Sequence, residues 1–277
     1  MFEALFLGLV QGLTEFLPIS SSAHLRIIGE FLPSAKDPGA AFTAIIQIGT
    51  ELAVLLFFRI EIASIIRNFL RISILRKSTY SKEEAADNKL GWWIIIGSIP
   101  IFIFGFLFQE TIKTTFRSLT LIAITLIVFA LILGAADYLG SSGKGMRNLG
   151  AKDALLLGLG QSLALIPGVS RSGMTIAVGR SLGYNRSAAT KISFFLAIPA
   201  VLGSGFYQLY QTLSDTSTEV FSLPETFAAT VVAFLVGYAV IAWLMRYISK
   251  ASFKPFVFYR VLLGSLVLIG VTGNFIG

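Results

Sequence analysis

The chain has 277 residues, of which 55% are hydrophobic and only 13% are charged, and its mean hydropathy is +0.80. One soluble core cannot bury that many apolar side chains, so the composition indicates a protein whose solvent includes lipid. The lack of cysteine excludes disulfides, iron–sulfur clusters and thiol catalysis. The net charge of +7 does not indicate nucleic-acid binding, because the basic residues cluster in a few connections between apolar segments.

Six segments are long and apolar enough to cross a hydrocarbon core of about 30 Å as helices of about 20 residues. They lie at about 40–59, 91–109, 118–138, 191–210, 226–245 and 256–276. The sequence therefore predicts an all-α polytopic membrane protein that forms a single transmembrane domain over residues 1–277.

Two further apolar segments, 2–32 and 153–185, are interrupted by polar breaks that contain Pro18 and Pro167. An interrupted helix is tolerated at membrane depth only where protein or a water-filled cavity covers its free backbone groups. We therefore predict two re-entrant helical hairpins whose breaks line a site.

The two hairpins resemble each other at a constant offset of 150 residues. The identical pairs include Gly8/Gly158, Gln11/Gln161, Ser20/Ser170 and Ser22/Ser172. Three predicted spans separate the hairpins, and an odd number of crossings makes the second hairpin enter from the opposite face. The pattern predicts an inverted-topology repeat with halves at 1–138 and 151–277.

The charges of the connections predict the orientation. The connection at 59–90 carries seven Lys and Arg residues, which the positive-inside rule places in the cytoplasm, and the connection at 211–225 carries none. Following the spans from there puts 110–117 outside and 139–190 and 246–255 inside. We therefore expect a plasma-membrane protein whose first hairpin opens outward, whose second opens inward, and whose two termini are extracytoplasmic.

The first break carries a carboxylate. Glu15 lies in an apolar helix about one turn before the break, where an unpaired charge is costly. Gln11 shares its helix face, and this oxygen-only pair suits a hard divalent cation such as Mg²⁺, with Ca²⁺ as the alternative. The other interpretation is that Glu15 is protonated or hydrogen-bonded in a polar helix interface.

Hydroxyls and an imidazole follow the same break. Ser20, Ser21 and Ser22 come where the second half-helix begins, and free backbone N–H groups at such a position attract anions. His24, the only histidine, lies three residues after Ser21 and is suited to proton exchange near neutral pH. A structural histidine and N-capping serines are the alternatives.

The second break carries a cation. Arg171 is flanked by Ser170 and Ser172, with Thr175 one turn on. An arginine at membrane depth is expensive unless it meets an anion, and its planar fork suits phosphate oxygens. Its alternative partner is Glu15, in a buried ion pair. Two half-helix N-termini that meet near the midplane predict an anion pocket suited to phosphate.

Gln47 and Glu51 share one face of the first predicted span. Two interpretations stay open for this pair: the side chains bound the same cavity, or they form hydrogen bonds between helices.

The segments Gln11–His24 and Pro167–Thr175 resemble the two signature segments of the bacterial undecaprenyl-diphosphate phosphatases associated with bacitracin resistance. The likeness includes Ile46–Gly49 and Ser252–Arg260 and runs the whole length of the chain. The resemblance implies hydrolysis of undecaprenyl diphosphate to undecaprenyl phosphate and inorganic phosphate. This reaction recycles the lipid carrier of cell-wall synthesis at the extracytoplasmic face.

The resemblance also implies roles for individual residues. They are a metal-linked acid at Glu15, its weaker partner at Gln11, a nucleophile at Ser21, a base or acid at His24, and a diphosphate clamp at Arg171. Substrate binding is assigned to Ser20, Ser22, Ser170, Ser172, Thr175 and Gln161. Direct attack by His24 is the rival mechanism. Many members of the family have Glu where this chain has Gln11, so a second charged metal ligand is missing.

A different function is compatible with the same scaffold. Inverted repeats around a midplane site are typical of transporters, so a polyprenyl-phosphate flippase or anion transporter is the alternative. The cluster of Ser21, His24 and Glu15 favours the enzyme, because bond cleavage requires it and anion transport does not. A non-catalytic membrane scaffold is a third interpretation, and the sequence leaves open whether the chain forms a homodimer.

Overall fold

A computed structural model describes residues 1–33, 37–113, 118–141, 143–214 and 220–276. The regular structure of these residues is helical, with one isolated β-bridge between Lys144 and Tyr184. The helices in the first half are α1 (Phe2–Thr14), α2 (Ser21–Gly29), α3 (Ala40–Phe57), α4 (Arg59–Phe69), α5 (Lys82–Leu107), α6 (Gln109–Lys113) and α7 (Leu119–Leu139). Those in the second half are α8 (Ala151–Ser162), α9 (Arg171–Ser181), α10 (Arg186–Ser214), α11 (Leu223–Ile248) and α12 (Lys254–Thr272).

Within the described ranges, six helices are long and apolar enough to cross a membrane: α3, α5, α7, α10, α11 and α12. They correspond one to one with the six predicted spans, so that prediction is confirmed. Helix α5 begins at Lys82 rather than near residue 91, because Ser81 and Glu84 form a capping box that starts the helix in its charged segment. The predicted connections at 110–117 and 211–225 lie partly outside the described residues.

Helix α4 was not predicted. It follows α3 directly and lies in the basic connection, and a turn of π-helix at Leu70–Ile74 extends it. Its apolar and charged residues alternate with helical spacing, and it packs against α5. Such a segment has too many charged residues to be detected as a membrane span.

The two interrupted segments each form a pair of short helices that packs against a long one. Helix α1 packs on α11, and a Cβ atom at Gly8 would overlap the carbonyl oxygen of Ala229. Helix α8 packs on α5, and a Cβ atom at Gly158 would overlap the carbonyl oxygen of Gly97. Glycine at these two positions therefore allows backbone contact between the helices.

A buried cluster of charged residues lies at the C-terminal end of α9, the second helix of the pair α8 and α9. Asp137 of α7 accepts hydrogen bonds from Arg180 of α9 at 3.1 Å and from Arg186 of α10 at 2.7 Å. Arg180 also donates to the carbonyl oxygens of Gly140 and Tyr184, both at 2.7 Å. The guanidinium thus pairs the free carbonyls where α7 and α9 end, which gives these charges a structural role.

Candidate active site

Each break begins its second half-helix with a serine in an unusual backbone conformation. Ser20, the N-cap of α2, has φ 74° and ψ 92°, and Ser170, the N-cap of α9, has φ 69° and ψ 112°. Positive φ is uncommon for residues other than glycine and is typically found where the surroundings impose it at functional sites. The two serines are 150 residues apart and share this geometry.

The structure brings the two breaks into contact. The backbone N–H of Gly168 donates to Oγ of Ser20 at 3.2 Å, and Oγ of Ser172 donates to the carbonyl oxygen of Leu17 at 3.1 Å. Each break therefore satisfies polar backbone groups of the other, as buried irregular backbone requires.

Glu15 is the centre of the resulting polar cluster. Its Oε2 accepts from Oγ of Ser21 at 2.6 Å and from Nε2 of Gln11 at 2.7 Å, and its Oε1 accepts from Nη2 of Arg171. The Glu15 side chain is 4% exposed and that of Arg171 is 16% exposed. Acid, hydroxyl and guanidinium from both breaks thus meet at one buried point.

The ion pair with Glu15 was the alternative considered for Arg171, and the structure contains it. It does not use the whole guanidinium, because the buried Nη1 of Arg171 has no partner. An unpaired buried cationic donor is costly, and it fits an anion that arrives with the ligand.

The imidazole of His24 makes different contacts from those expected. Its Nδ1 lies 2.7 Å from the carbonyl oxygen of Ser20, and its Nε2 lies 2.6 Å from the hydroxyl of Tyr259. Both ring nitrogens are therefore occupied, while the Ser21 hydroxyl donates to Glu15.

Sequence reasoning gave no role to Arg260, which follows Tyr259 on α12. Arg260 is fully buried, and its Nη1 donates to the carbonyl oxygen of Pro18 at 3.2 Å. Its Nη2 donates to the carbonyl oxygens of Gly168 at 2.7 Å and Val169 at 3.0 Å. One side chain thus ties both breaks together. A cation near the end of a span was the available signal, but such residues are usually interfacial anchors.

A cavity of about 520 Å³ extends from this cluster between α5 and α10. Its polar end is lined by Glu15, Ser20, Ser21, Ser22, Gln47, Ser170 and Arg171. Its apolar walls include Ile101, Phe102 and Phe106 of α5 and Ala200 and Val201 of α10. A proline, at 100 in α5 and at 199 in α10, precedes each wall segment and removes a backbone donor from the helix. The cavity is polar at the breaks and mostly apolar along its walls, although Gln109, Ser204, Tyr207 and Gln208 also line it. A polar end beside apolar walls suits an anionic head with an apolar chain.

Three other predicted binding residues lie away from the cavity. The hydroxyl of Thr175 donates to the carbonyl oxygen of Arg171 at 2.9 Å, and that of Ser172 to Leu17. Gln161 is fully buried, and neither polar atom of its amide has a partner. These three side chains are not among those that line the cavity in the described part of the chain.

The two polar residues of α3 differ in placement. Gln47 lines the cavity, which supports the first of its two interpretations. Glu51, one turn on, is 1% exposed, and one of its carboxylate oxygens has no partner. It lies near enough to Arg171 and Glu15 to interact with both electrostatically.

The residues around Glu15 fit a divalent cation that is shared with a phosphate ligand. No group of three or more His, Cys, Asp or Glu side chains forms a metal site among the described residues. However, a magnesium ion bridged to phosphates needs only one or two protein carboxylates. Glu15 supplies a carboxylate, and Oε1 of Gln11 is buried without a partner. All of these donors are oxygens, which is the chemistry that Mg²⁺ prefers.

Fold and site together define a multi-pass membrane protein with an acid, hydroxyl and guanidinium cluster at the polar end of an apolar cavity. Residues 4–266 match the family model of the bacitracin resistance protein BacA. The chain belongs to this family.

Similar bacterial proteins are undecaprenyl-diphosphatases. The chain is 56% identical to an undecaprenyl-diphosphatase of Micrococcus luteus over 266 residues, which cover 96% of this chain and 95% of that protein. It is 52% identical to an undecaprenyl-diphosphatase of Pseudarthrobacter chlorophenolicus, covering 95% and 94%. It is also 52% identical to undecaprenyl-diphosphatase 2 of Agrobacterium fabrum, covering 96% and 94%.

Proposed function

We propose that this protein is an undecaprenyl-diphosphatase, which hydrolyses undecaprenyl diphosphate to undecaprenyl phosphate and inorganic phosphate. The activity is that of relatives that match it over nearly their whole length. The observation that carries the proposal is the hydrogen bond from the Ser21 hydroxyl to Glu15. It lies beside Arg171, whose Nη2 pairs with Glu15 while its Nη1 has no partner. This arrangement joins a nucleophile, a proton acceptor and a phosphate-binding cation.

Ser21 is the nucleophile of the proposed mechanism. Its oxygen attacks the terminal phosphorus, its proton passes to Oε2 of Glu15, and the bond from phosphorus to the bridging oxygen breaks. Undecaprenyl phosphate leaves, and a water molecule then attacks the phosphorus of the phosphoseryl group. The bond from phosphorus to the serine oxygen breaks, Ser21 takes back the proton from Glu15, and inorganic phosphate leaves with the protons of the water. Direct attack by His24 is less well supported, because its ring nitrogens contact Ser20 and Tyr259.

The diphosphate is held by Arg171 and by hydroxyls around the start of the two half-helices. Nη1 of Arg171 binds a phosphate oxygen while Nη2 remains on Glu15. Ser20, Ser22 and Ser170 line the cavity at the same end and act as further donors. Ser172 and Thr175 support the breaks around the substrate through their hydrogen bonds to the carbonyl oxygens of Leu17 and Arg171.

A divalent metal, Mg²⁺ or alternatively Ca²⁺, is the proposed cofactor. When bound, it neutralises charge on the diphosphate, which is the main requirement of phosphoryl transfer. Glu15 and Gln11 are the residues that would hold it. The Gln11 amide carries no charge, so the proposal predicts weaker metal binding than two carboxylates provide.

The two interrupted segments are proposed to be re-entrant hairpins, 2–32 and 153–185, of an inverted repeat with halves 1–138 and 151–277. Helices α1 and α2, with 13 and 9 residues, are about 20 Å and 14 Å long, which is less than the bilayer core. The matching conformations of Ser20 and Ser170 and the matching packing of Gly8 and Gly158 support the repeat.

The proposed site opens to the extracytoplasmic side of the plasma membrane. The basic connection at 59–90 is cytoplasmic by the positive-inside rule, and the N-terminal end of α5 lies in this connection. The cavity lies along the opposite, C-terminal part of α5, from Ile101 to Phe106, and reaches Gln109 at the start of α6. With six spans and two hairpins, both termini are then extracytoplasmic. The prenyl chain follows the apolar walls toward lipid.

Phosphate release by purified protein tests the function. Undecaprenyl diphosphate in detergent or vesicles should yield inorganic phosphate, and Ser21→Ala should lower kcat by at least about 10³-fold. Ser249→Ala, which removes an exposed hydroxyl at the end of α11, is the matched control and should be unchanged. Vesicle transport of intact lipid diphosphate without phosphate release would instead establish the alternative, a flippase or anion transporter.

A further inference from the structure

Tyr259 is linked through two hydrogen bonds to Ser20, the residue before the proposed nucleophile. Its hydroxyl lies 2.6 Å from Nε2 of His24, and the two rings are nearly parallel, with an interplanar angle of 9° and centroids 5.5 Å apart. On the opposite edge of the imidazole, Nδ1 lies 2.7 Å from the carbonyl oxygen of Ser20. The residue after Ser20 is the proposed nucleophile.

The partners of His24 determine its tautomer. A carbonyl oxygen only accepts, so Nδ1 carries the proton and donates it to Ser20. In the neutral ring Nε2 is then the acceptor, and the hydroxyl of Tyr259 donates to it. The hydrogen bond from Tyr259 thus favours the one tautomer that can hold Ser20.

The Ser20 carbonyl needs this support because its residue has a costly conformation. Ser20 has φ 74° as the N-cap of α2, and its carbonyl oxygen also accepts from the backbone N–H of His24 at 3.2 Å. A strained residue keeps its conformation only where its surroundings hold it. The imidazole and the backbone N–H together fix the peptide that joins Ser20 to Ser21.

We propose that Tyr259 and His24 form a positioning pair, in which Tyr259 fixes the His24 tautomer and His24 fixes the Ser20 carbonyl. The pair keeps Oγ of Ser21 on Glu15, where the reaction requires it. The proposal rests on the proposed function. It assigns His24 no proton transfer with Ser21, because His24 contacts neither the Ser21 hydroxyl nor Glu15 among the described hydrogen bonds.

The role of the pair is tested by substitutions with different hydrogen-bonding ability. His24→Asn keeps an N–H donor for the Ser20 carbonyl, so kcat should stay within about tenfold of the wild type. His24→Ala removes the donor, and the displaced nucleophile should cost about 100-fold in kcat. Tyr259→Phe should lower kcat about five- to tenfold with little change in KM, because Tyr259 does not line the cavity.

Two further variants separate the pair from general packing. In the His24→Asn background, Tyr259→Phe should cost less than about twofold, because Tyr259 acts through the imidazole. Tyr238→Phe, in a ring that packs on Phe57, is the matched control and should be unchanged. If His24→Asn is as inactive as His24→Ala, or if Tyr259→Phe matches the wild type, the positioning pair is refuted.

A spectroscopic readout tests the tautomer independently of turnover. The chain has one histidine, so ¹⁵N-histidine labelling reports on His24 alone. The spectrum should show a protonated Nδ1 and an unprotonated Nε2, with the population of this tautomer reduced in Tyr259→Phe. A protonated Nε2 in the wild type would overturn the proposal even if hydrolysis is confirmed. Failure of the wild type to release phosphate, with the expected tautomer present, would refute the proposed function and leave the pair intact.

Discussion

Replacing Arg260 should disrupt the contact between the two breaks. This side chain is fully buried and pairs three carbonyl oxygens, those of Pro18, Gly168 and Val169. Arg260→Met keeps much of the volume and removes every donor. Each unpaired buried carbonyl costs about 1–3 kcal/mol, and some recover partners from water in the adjoining cavity. We expect a total destabilisation of about 3–5 kcal/mol, comparable to the loss of one partner of a buried charge pair.

Thermal or denaturant unfolding in detergent measures this loss, and phosphate release measures its effect on the site. Activity should fall by at least about 100-fold, because Ser20 and Ser170 move when the breaks separate. Arg260→Lys should be intermediate, since one ammonium group cannot reproduce the planar fork. Arg246→Met, at an exposed position of α11, is the control. Wild-type stability and turnover in Arg260→Met would refute the bridging role.

Three further outcomes are expected. Glu15→Gln should lower kcat by at least about 10³-fold without unfolding the protein, because it removes the proposed proton acceptor of Ser21; an active variant would exclude that role. Chelation of divalent metal should abolish phosphate release and Mg²⁺ should restore it, whereas activity in excess chelator would exclude the cofactor. Gly168→Ala should lower stability by about 2 kcal/mol or more, because φ is +93° and a Cβ atom would overlap Thr125; Gly143→Ala, in open space, should be neutral in the same unfolding assay.

The membrane spans were predictable because span length and apolar composition are local properties set by the thickness of the bilayer. The breaks were predictable for a related reason. A proline followed by several serines inside an apolar segment frees backbone groups that lipid cannot satisfy. Glu15 and Arg171 were identifiable because an ionisable residue in such a segment is costly unless it has a function. Helix α4 was not predicted because its charged residues keep it from meeting the criterion of a long apolar segment.

Contacts between distant segments were decided by the tertiary structure. The sequence predicts that His24, three residues after Ser21, exchanges a proton with it, whereas in the structure the imidazole contacts Tyr259, which is 235 residues away in sequence. Tyr259 and Arg260 have the pattern of interfacial anchors at the start of a span, and only the packing of α12 brings them to the breaks. The residue types by themselves predicted a polar site within the membrane domain that suits phosphate, because the cost of burying a charge depends on the local segment. Which side chains share hydrogen bonds there was decided by the fold, because each donor meets its acceptor only after helices far apart in sequence have packed.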